Sequence, residues 1–213
     1  MSKNGNYIQT AYGDNTARVL NVINGQLLEE FKGHTKAIYS ACFSPDGKYI
    51  VTASGDGTAK VWNAVNGLML ADMKKHTGLI NNAAFSHNGE FVVTTSEDNT
   101  SRVWNVAKGI LLSNLKGHTD FVTGASFSFN GKYVVTTSWD NTAKVWNATS
   151  GQLVANLVGH TGAVNSAAFS PDGNYIVTAS ADSTARVWNA ASGRQQFSLK
   201  GHTSWVNKAV FSH

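Results

Sequence analysis

The sequence of 213 residues has one cysteine and little charge. The single cysteine, Cys42, excludes an internal disulfide framework. Because it lies inside the apolar run IYSACF, it is expected to be a buried structural thiol and not a reactive one. Charged residues make up only 14% of the chain, which suits an all-β protein and argues against a disordered or coiled-coil protein.

Long apolar segments are also missing. No run approaches the ~20 apolar residues that a membrane-spanning helix needs. The start of the sequence, MSKNGNYIQTAYG, lacks the apolar core of a signal peptide. We therefore expect a protein of the cytoplasm that does not insert into membranes. A location in the nucleus is also compatible with these absences.

What the sequence does contain is a repeat of 42 residues, fixed by three residue types. The histidines at this interval are His34, His76, His118, His160 and His202. The aspartates are Asp14, Asp56, Asp98, Asp140 and Asp182. The tryptophans are Trp62, Trp104, Trp146 and Trp188, with Leu20 at the corresponding place in the first copy. A period near 40 that opens on Gly-His and closes on Trp is typical of a four-stranded propeller blade.

Each full copy is predicted to form four short strands. The first strands are rich in Ala and Ser, and they are Ile38–Phe43, Ile80–Phe85, Val122–Phe127 and Val164–Phe169. A turn that ends in Gly follows each of them. The second strands read YIVT, FVVT, YVVT and YIVT, and their consecutive apolar residues indicate burial on both faces, between two neighbouring blades.

These residues resemble the WD-repeat (WD40) family over essentially the whole chain. The resemblance rests on the Gly-His pairs at 33–34, 117–118, 159–160 and 201–202, on FSPDG at 43–47 and 169–173, and on the Trp series. Two features depart from the family pattern: Lys75 stands before His76 in place of Gly, and Asn follows each Trp where the family name has Asp. The resemblance implies an all-β fold, a WD40-type β-propeller.

The strand count predicts one domain, 1–213, with five four-stranded blades. Three strands at 7–10, 16–22 and 26–31 precede the full copies near 33–74, 75–116, 117–158 and 159–200, and one strand at 205–211 follows them. We expect this last strand to complete the blade of 1–32 plus 202–213, pair His202 with Asp14 and close the ring, which hides the sheet edges. A monomer is favoured; a segment of a larger propeller and a ring completed by a second chain are the alternatives.

In the family that the chain resembles, the repeated His, Asp and Trp form a hydrogen-bonded relay through a Ser or Thr, which satisfies buried polar groups. The sets implied here are His34–Asp56–Trp62, His76–Thr95–Asp98–Trp104, His118–Thr137–Asp140–Trp146 and His160–Asp182–Trp188, with His202 and Asp14 in the closing blade. With the Thr placed three residues before Asp, Ala53 and Ala179 leave two relays incomplete.

The repetition of these residues argues against a metal site or a catalytic site. Five histidines spread around a ring cannot bind one metal ion together. The Ser, His and Asp residues come without a Gly-x-Ser-x-Gly elbow, and every candidate triad is repeated. We therefore expect no enzyme, no metal and no cofactor.

Function is expected where the copies differ, and the resemblance places those positions at the mouth of the central channel. We predict a scaffold that binds a peptide or loop of another protein there, through an exposed aromatic cluster. The predicted partner-binding residues are Tyr39, Leu79, Glu97, Phe121, Trp139 and Trp205. Trp139 and Trp205 lie outside the regular Trp series. The alternative for these rings is that they merely fill a narrow pore.

Two other functions stay open. Arg18, Lys60, Arg102, Lys144 and Arg186 each lie four residues after an Asp, and a basic surface could bind nucleic acid or acidic lipid. Nucleic acid is the less favoured partner, because basic residues in this strand also keep sheet edges soluble. A designed or excised repeat array without a partner of its own is the third possibility.

Overall fold

The structure is a computed structural model that describes residues 7–11 and 13–212. The described residues form nineteen β-strands and no helix, arranged in one three-stranded and four four-stranded antiparallel sheets. The prediction of an all-β fold built from propeller blades is thus confirmed. No helix of the described ranges is long and apolar enough to cross a membrane.

The sheets follow one another along the chain. Sheet I contains β1 (Tyr7–Ala11), β2 (Thr16–Asn21) and β3 (Leu27–Lys32). Sheet II contains β4 (Ile38–Phe43), β5 (Tyr49–Ser54), β6 (Thr58–Asn63) and β7 (Met69–Lys74). Sheet III contains β8 (Ile80–Phe85), β9 (Phe91–Ser96), β10 (Thr100–Asn105) and β11 (Ile110–Lys116). Sheet IV contains β12 (Val122–Phe127), β13 (Tyr133–Ser138), β14 (Thr142–Asn147) and β15 (Leu153–Val158). Sheet V contains β16 (Val164–Phe169), β17 (Tyr175–Ser180), β18 (Ala185–Asn189) and β19 (Gln195–Leu199).

Each sheet is a simple meander, in which every strand pairs with the next one in the chain. The second strands are rich in Val, Ile and Thr, which favour the extended backbone. In β5, β9 and β13 every residue after the first is buried, because other sheets cover both of their faces. In each full sheet, the pairing register of the third and fourth strands shifts by one residue just before the Trp. Such bulges increase the local twist of the sheet.

The core lies between neighbouring sheets. The first strands pack in sequence, β1 on β4, β4 on β8, β8 on β12 and β12 on β16. The Trp of each full sheet reaches toward the preceding sheet: Trp62 of sheet II packs on Phe31 of sheet I, with ring centroids 5.6 Å apart. Likewise, Trp104 belongs to the apolar cluster that contains Met73 of sheet II. The repeated Trp therefore joins consecutive blades.

The loops divide the propeller into two faces. We call the loop face the side formed by the segments before each first strand and between each second and third strand, such as 33–37 and 55–57. The turn face is the opposite side, formed by the turns between first and second strands and between third and fourth strands, such as 44–48 and 64–68. The predicted partner-binding residues belong to, or adjoin, the segments of the loop face.

The predicted twentieth strand and the closure that it would bring do not form in the described residues. Residues 202–212 form no strand, and within the described ranges no ladder joins them to β1. They lie instead against sheet V, where the backbone N–H of Val206 donates to Ser180 O at 3.0 Å and Asn165 Nδ2 donates to Val206 O at 3.1 Å. Residues 202–212 thus lie beside sheet V in the same way that the first strand of each full sheet lies beside the sheet before it.

The predicted pair of His202 and Asp14 was also wrong. His202 is exposed, and the carboxylate of Asp14 accepts bonds from Thr16 and Arg18. The first sheet lacks the Trp that anchors a relay, since Leu20 replaces it. The buried hydroxyl of Thr10, four residues before Asp14, has no hydrogen-bond partner among the described residues. Sheet I therefore contains part of a relay site without the His and Trp that complete it elsewhere.

Candidate interaction face

A relay of four side chains links the two kinds of loop-face segment in each full sheet. In sheet III, His76 Nδ1 lies 2.8 Å from Asp98 Oδ2, and His76 Nε2 lies 2.8 Å from Thr94 Oγ1. Trp104 Nε1 donates to Thr94 Oγ1 at 3.0 Å. Because a carboxylate only accepts, Nδ1 of His76 carries the proton and Nε2 accepts from the threonine hydroxyl. The donation therefore runs from Trp through Thr and His to Asp.

The other full sheets repeat these bonds with distances between 2.7 and 2.9 Å. The residues are His34, Thr52, Asp56 and Trp62 in sheet II, His118, Thr136, Asp140 and Trp146 in sheet IV, and His160, Thr178, Asp182 and Trp188 in sheet V. All four relays are complete, so the expectation of two incomplete relays was wrong.

The assignment of Thr95 and Thr137 to the relays was wrong as well. The relay threonine lies four residues before Asp, at Thr94 in sheet III. In the register of β9 and β10, Val92 is opposite Trp104 and Thr94 is opposite Arg102, which puts Thr94 on the same face as the indole. Thr95 points to the other face and donates to Asn81 Oδ1. Thr137 likewise bonds to Thr123, at 2.8 Å. Strand alternation together with the register of the second and third strands identifies the correct threonine.

Burial and hydrogen bonding fix the charges of the relay. Burial lowers the pKa of His34, His76 and His160 below the usual 6.5, so these rings are neutral at pH 7. Burial opposes ionisation of Asp56, but bonds from Thr35 N–H, Thr58 and His34 outweigh it and lower its pKa to about 2. Asp98, Asp140 and Asp182 have pKa values below the ordinary range for the same reasons. Each full sheet therefore holds a carboxylate just beneath the loop face.

The basic residue four positions after Asp decides whether that carboxylate has a cationic neighbour. In sheets III and V this residue is arginine, and its guanidinium lies 3.0 Å from Asp98 and 3.7 Å from Asp182. In sheets II and IV it is lysine, which bonds instead to the fourth strand: Lys60 to Asp72 at 2.8 Å and Lys144 to Asn156 at 2.7 Å. Among the described residues, Asp56 and Asp140 thus have no Lys or Arg partner.

The divergent positions come in pairs within each sheet. The residue before the relay Asp donates its backbone N–H to the carbonyl three residues after the relay His. The pairs are Gly55 with Ala37, Glu97 with Leu79, Trp139 with Phe121, and Ala181 with Ala163, at 2.9 to 3.0 Å. Two loops that are distant in sequence therefore present their variable side chains side by side.

The family comparison agrees with this geometry. Four segments match the family model for the WD domain, G-beta repeat: residues 25–63, 67–105, 109–147 and 151–189. The chain belongs to the WD40 family. Each matched segment begins before the last strand of one sheet and ends with the third strand of the next, so the sequence repeat spans two blades. No curated protein matches the chain.

WD40 domains generally act as non-catalytic scaffolds that bind other proteins. Four of the six predicted partner-binding residues of this WD40 chain form two side-chain pairs, and the other two belong to neither pair. Trp139 is 55% exposed and packs on Phe121, with ring centroids 5.4 Å apart. Tyr39, 56% exposed, lines a shallow recess with Leu79, and both approach Gly55. Glu97 is exposed in the loop of sheet III. Trp205 is 70% exposed but lies in the segment beyond sheet V.

Tyr39 differs from the residues at the same position in the other full sheets of this WD40 chain, five residues after the relay His. At the same position, Asn81, Thr123 and Asn165 bond to the carbonyls of Val122, Val164 and Val206. The first two bonds join neighbouring first strands, and the third joins β16 to the segment 202–212. Tyr39 makes no such bond in the described structure, and most of its side chain faces solvent. The polar residues at this position are therefore structural, whereas Tyr39 remains accessible.

The turn face of this WD40 domain carries a feature that the sequence reasoning missed. Phe129 is 63% exposed and packs on His87, with ring centroids 4.3 Å apart. It also lines a cleft of about 360 Å³ between sheets IV and V. The available signal was the second residue of the turns SPDG, SHNG, SFNG and SPDG, which differs between copies.

Within residues 7–11 and 13–212, no three His, Cys, Asp or Glu side chains come together as a metal site would require.

Proposed function

We propose that this WD40 chain is a non-catalytic scaffold of the cytoplasm that binds a peptide or loop of another protein on its loop face. The residues that would contact the partner are Tyr39, Leu79, Glu97, Phe121, Trp139 and Trp205. The observation that carries the proposal is the exposure of three large aromatic side chains, Tyr39, Trp139 and Trp205, on one side of a domain whose repeated tryptophans are buried.

Physical chemistry supports such a use of these side chains. An aromatic ring that remains in water forgoes the favourable free energy of burial, so an exposed cluster often marks a binding site. Trp and Tyr are also enriched among residues that dominate binding energy, because each buries a large area with few rotatable bonds. The backbone bond between Trp139 N–H and Phe121 O keeps this pair in place before any partner arrives.

The second candidate, a basic-surface module for nucleic acid or acidic lipid, has less support. Two of the cations in the predicted basic series are bound to carboxylates of the outer strand, Arg18 to Glu30 and Lys60 to Asp72. Lys32 and Lys74 pair with the same two carboxylates. These ion pairs reduce the positive charge that is free to meet a phosphate.

The proposal can be tested by selecting binders from a phage library of random twelve-residue peptides on the wild-type protein. Each selected peptide is then titrated against the double variant Trp139→Ala/Trp205→Ala. The matched control is Phe129→Ala, which removes an equally exposed aromatic ring from the turn face. We expect binding to fall at least about tenfold in the double variant and to stay unchanged in the control. Peptides that bind all three proteins alike would refute the loop-face site.

A further inference from the structure

The Phe121–Trp139 pair lies in loop segments that contain two aspartates, Asp120 and Asp140, and no lysine or arginine. We propose that it receives a positively charged side chain, lysine or arginine, from the bound partner. This inference rests on the proposed function and names the chemistry of the partner segment. It is carried by the exposed aromatic pair and by the charges that surround it.

The aromatic pair offers a surface that suits a cation. Trp139 is more than half exposed, its ring is tilted by 42° against that of Phe121, and its indole N–H has no hydrogen-bond partner among the described residues. The four framework tryptophans instead donate to threonine and are buried. The electron-rich face of an exposed indole attracts guanidinium and ammonium groups.

The relay carboxylate of sheet IV has no Lys or Arg partner among the described residues. Asp140 directly follows Trp139, and its Oδ2 lies 2.7 Å from His118 Nδ1. Lys144, the residue that could compensate its charge, bonds to Asn156 in the outer strand. In the two adjoining sheets the equivalent carboxylates have arginine partners, Arg102 and Arg186. Sheet IV therefore combines an exposed aromatic pair with a relay carboxylate that has no Lys or Arg partner among the described residues.

Two further acidic residues adjoin the pair. Asp120 precedes Phe121 and accepts its backbone N–H at 2.8 Å, and the exposed Glu97 occupies the position of Trp139 in sheet III. The loop segments of sheet IV, GHTDF and WDN, contain no lysine or arginine. The nearest basic residue in sequence, Lys116, ends the outer strand β11. A cation on Trp139 would thus meet negative potential from several directions.

The charge of the other aromatic site on the loop face is different. Asp56 in sheet II also lacks a Lys or Arg partner, but Lys36 lines the same recess as Tyr39. On the far side of Trp139, sheet V has Ala163 and Ala181 at the paired positions, which leaves room for a side chain next to the indole. Charge and space therefore both favour sheet IV as the site for a cationic residue.

The test uses two defined probes, acetyl-Gly-Gly-Arg-Gly-Gly-amide and the same peptide with citrulline in place of arginine. Citrulline keeps the shape of arginine without its charge. Binding is followed by the indole N–H resonance of Trp139, with the buried framework Trp62 as the internal reference. We expect the arginine peptide to shift the Trp139 resonance and to bind at least about fivefold more tightly than the citrulline peptide.

A variant that supplies the missing cation is the sharper test. Lys144→Arg gives sheet IV the residue that reaches the relay carboxylate in sheets III and V. We expect it to weaken binding of the arginine peptide about threefold to tenfold, and Glu97→Gln, at an exposed position, to weaken it about twofold to threefold. Lys108→Arg, in a turn of the turn face, is the charge-matched control and should leave binding unchanged.

The outcomes separate this inference from the proposed function. Equal binding of the arginine and citrulline peptides would overturn the cation site, as would unchanged binding in both Lys144→Arg and Glu97→Gln. If selected library peptides require Trp139 or Trp205 but carry no lysine or arginine, the loop-face scaffold stands and the cation site fails. If the selected peptides bind the Trp139→Ala/Trp205→Ala variant as tightly as the wild type, the proposed function fails. The arginine and citrulline titrations then still decide the cation site.

Discussion

Replacing Thr94 with valine should destabilise the protein far more than the same change at Thr95. The two residues are adjacent in β9, and both are fully buried. Valine has nearly the shape of threonine, so each substitution removes a hydroxyl group with little change in packing. The comparison therefore isolates the relay bonds from every other contribution of the strand.

The expected magnitude follows from the partners that each hydroxyl leaves behind. Without Thr94 Oγ1, the indole N–H of Trp104 and Nε2 of His76 both lose their bonds, and both side chains are buried. A buried polar group without a partner costs about 1–3 kcal/mol, so Thr94→Val should lower the free energy of unfolding by about 2–6 kcal/mol. Thr95→Val leaves only Asn81 Oδ1 without its hydrogen bond, and this atom is partly accessible to water. The change should therefore lower the free energy of unfolding by only about 1 kcal/mol.

Equilibrium unfolding in urea, followed by tryptophan fluorescence, measures both changes. Thr94→Ser keeps the hydroxyl and should recover most of the loss. Ala53 and Ala179, at the position of Thr95 in sheets II and V, already show that this site tolerates a residue without a hydroxyl. The reasoning is refuted if Thr95→Val costs as much as Thr94→Val, or if the serine variant is no more stable than the valine variant.

Two further predictions concern acid and backbone conformation. Because the pKa values of His34, His76 and His160 lie below 6.5 in the folded protein, their contribution to stability is complete above about pH 6.5 and is lost as the pH falls. The slope should reach up to about 1.4 kcal/mol per pH unit for each histidine, and a urea midpoint that is constant from pH 8 to pH 5 would contradict it. Ser183 has φ 66°, where the equivalent residue of sheet II is Gly57 at φ 78°. Ser183→Gly should therefore raise the free energy of unfolding by about 0.5–1 kcal/mol, while Asn99→Gly, whose asparagine tolerates this conformation better, should gain less.

Most of the fold could be predicted from the sequence because its determinants are local and repeated. The period of the His and Trp residues marks each blade, and the runs of Val, Ile and Thr mark the strands with two buried faces. Nineteen of the twenty predicted strands are present. The pairing of residues 202–212 could not be predicted in the same way, because it depends on contacts between distant parts of the chain and not on a local pattern.

The relays show a different limit of sequence reasoning. The repeat identified His76, Asp98 and Trp104, but the threonine was placed one residue away from the true one. A shift of one residue moves a side chain to the other face of a strand, so only the register of β9 with β10 decides between Thr94 and Thr95. The exposure of Tyr39 and the packing of Phe129 on His87 likewise depend on neighbouring sheets.

A residue that lies outside the loop face can also change the charge of that face. Arg102 and Lys144 lie at the same place in their sheets, four residues after the relay Asp. The guanidinium of Arg102 reaches Asp98, whereas the ammonium of Lys144 bonds to Asn156. Because arginine offers several donors in a planar fork and lysine only one point charge, exchanging them redirects the bond as well as the side chain. A substitution that is conservative in charge therefore determines whether the carboxylate beneath Trp139 is compensated, without altering any residue exposed on the loop face.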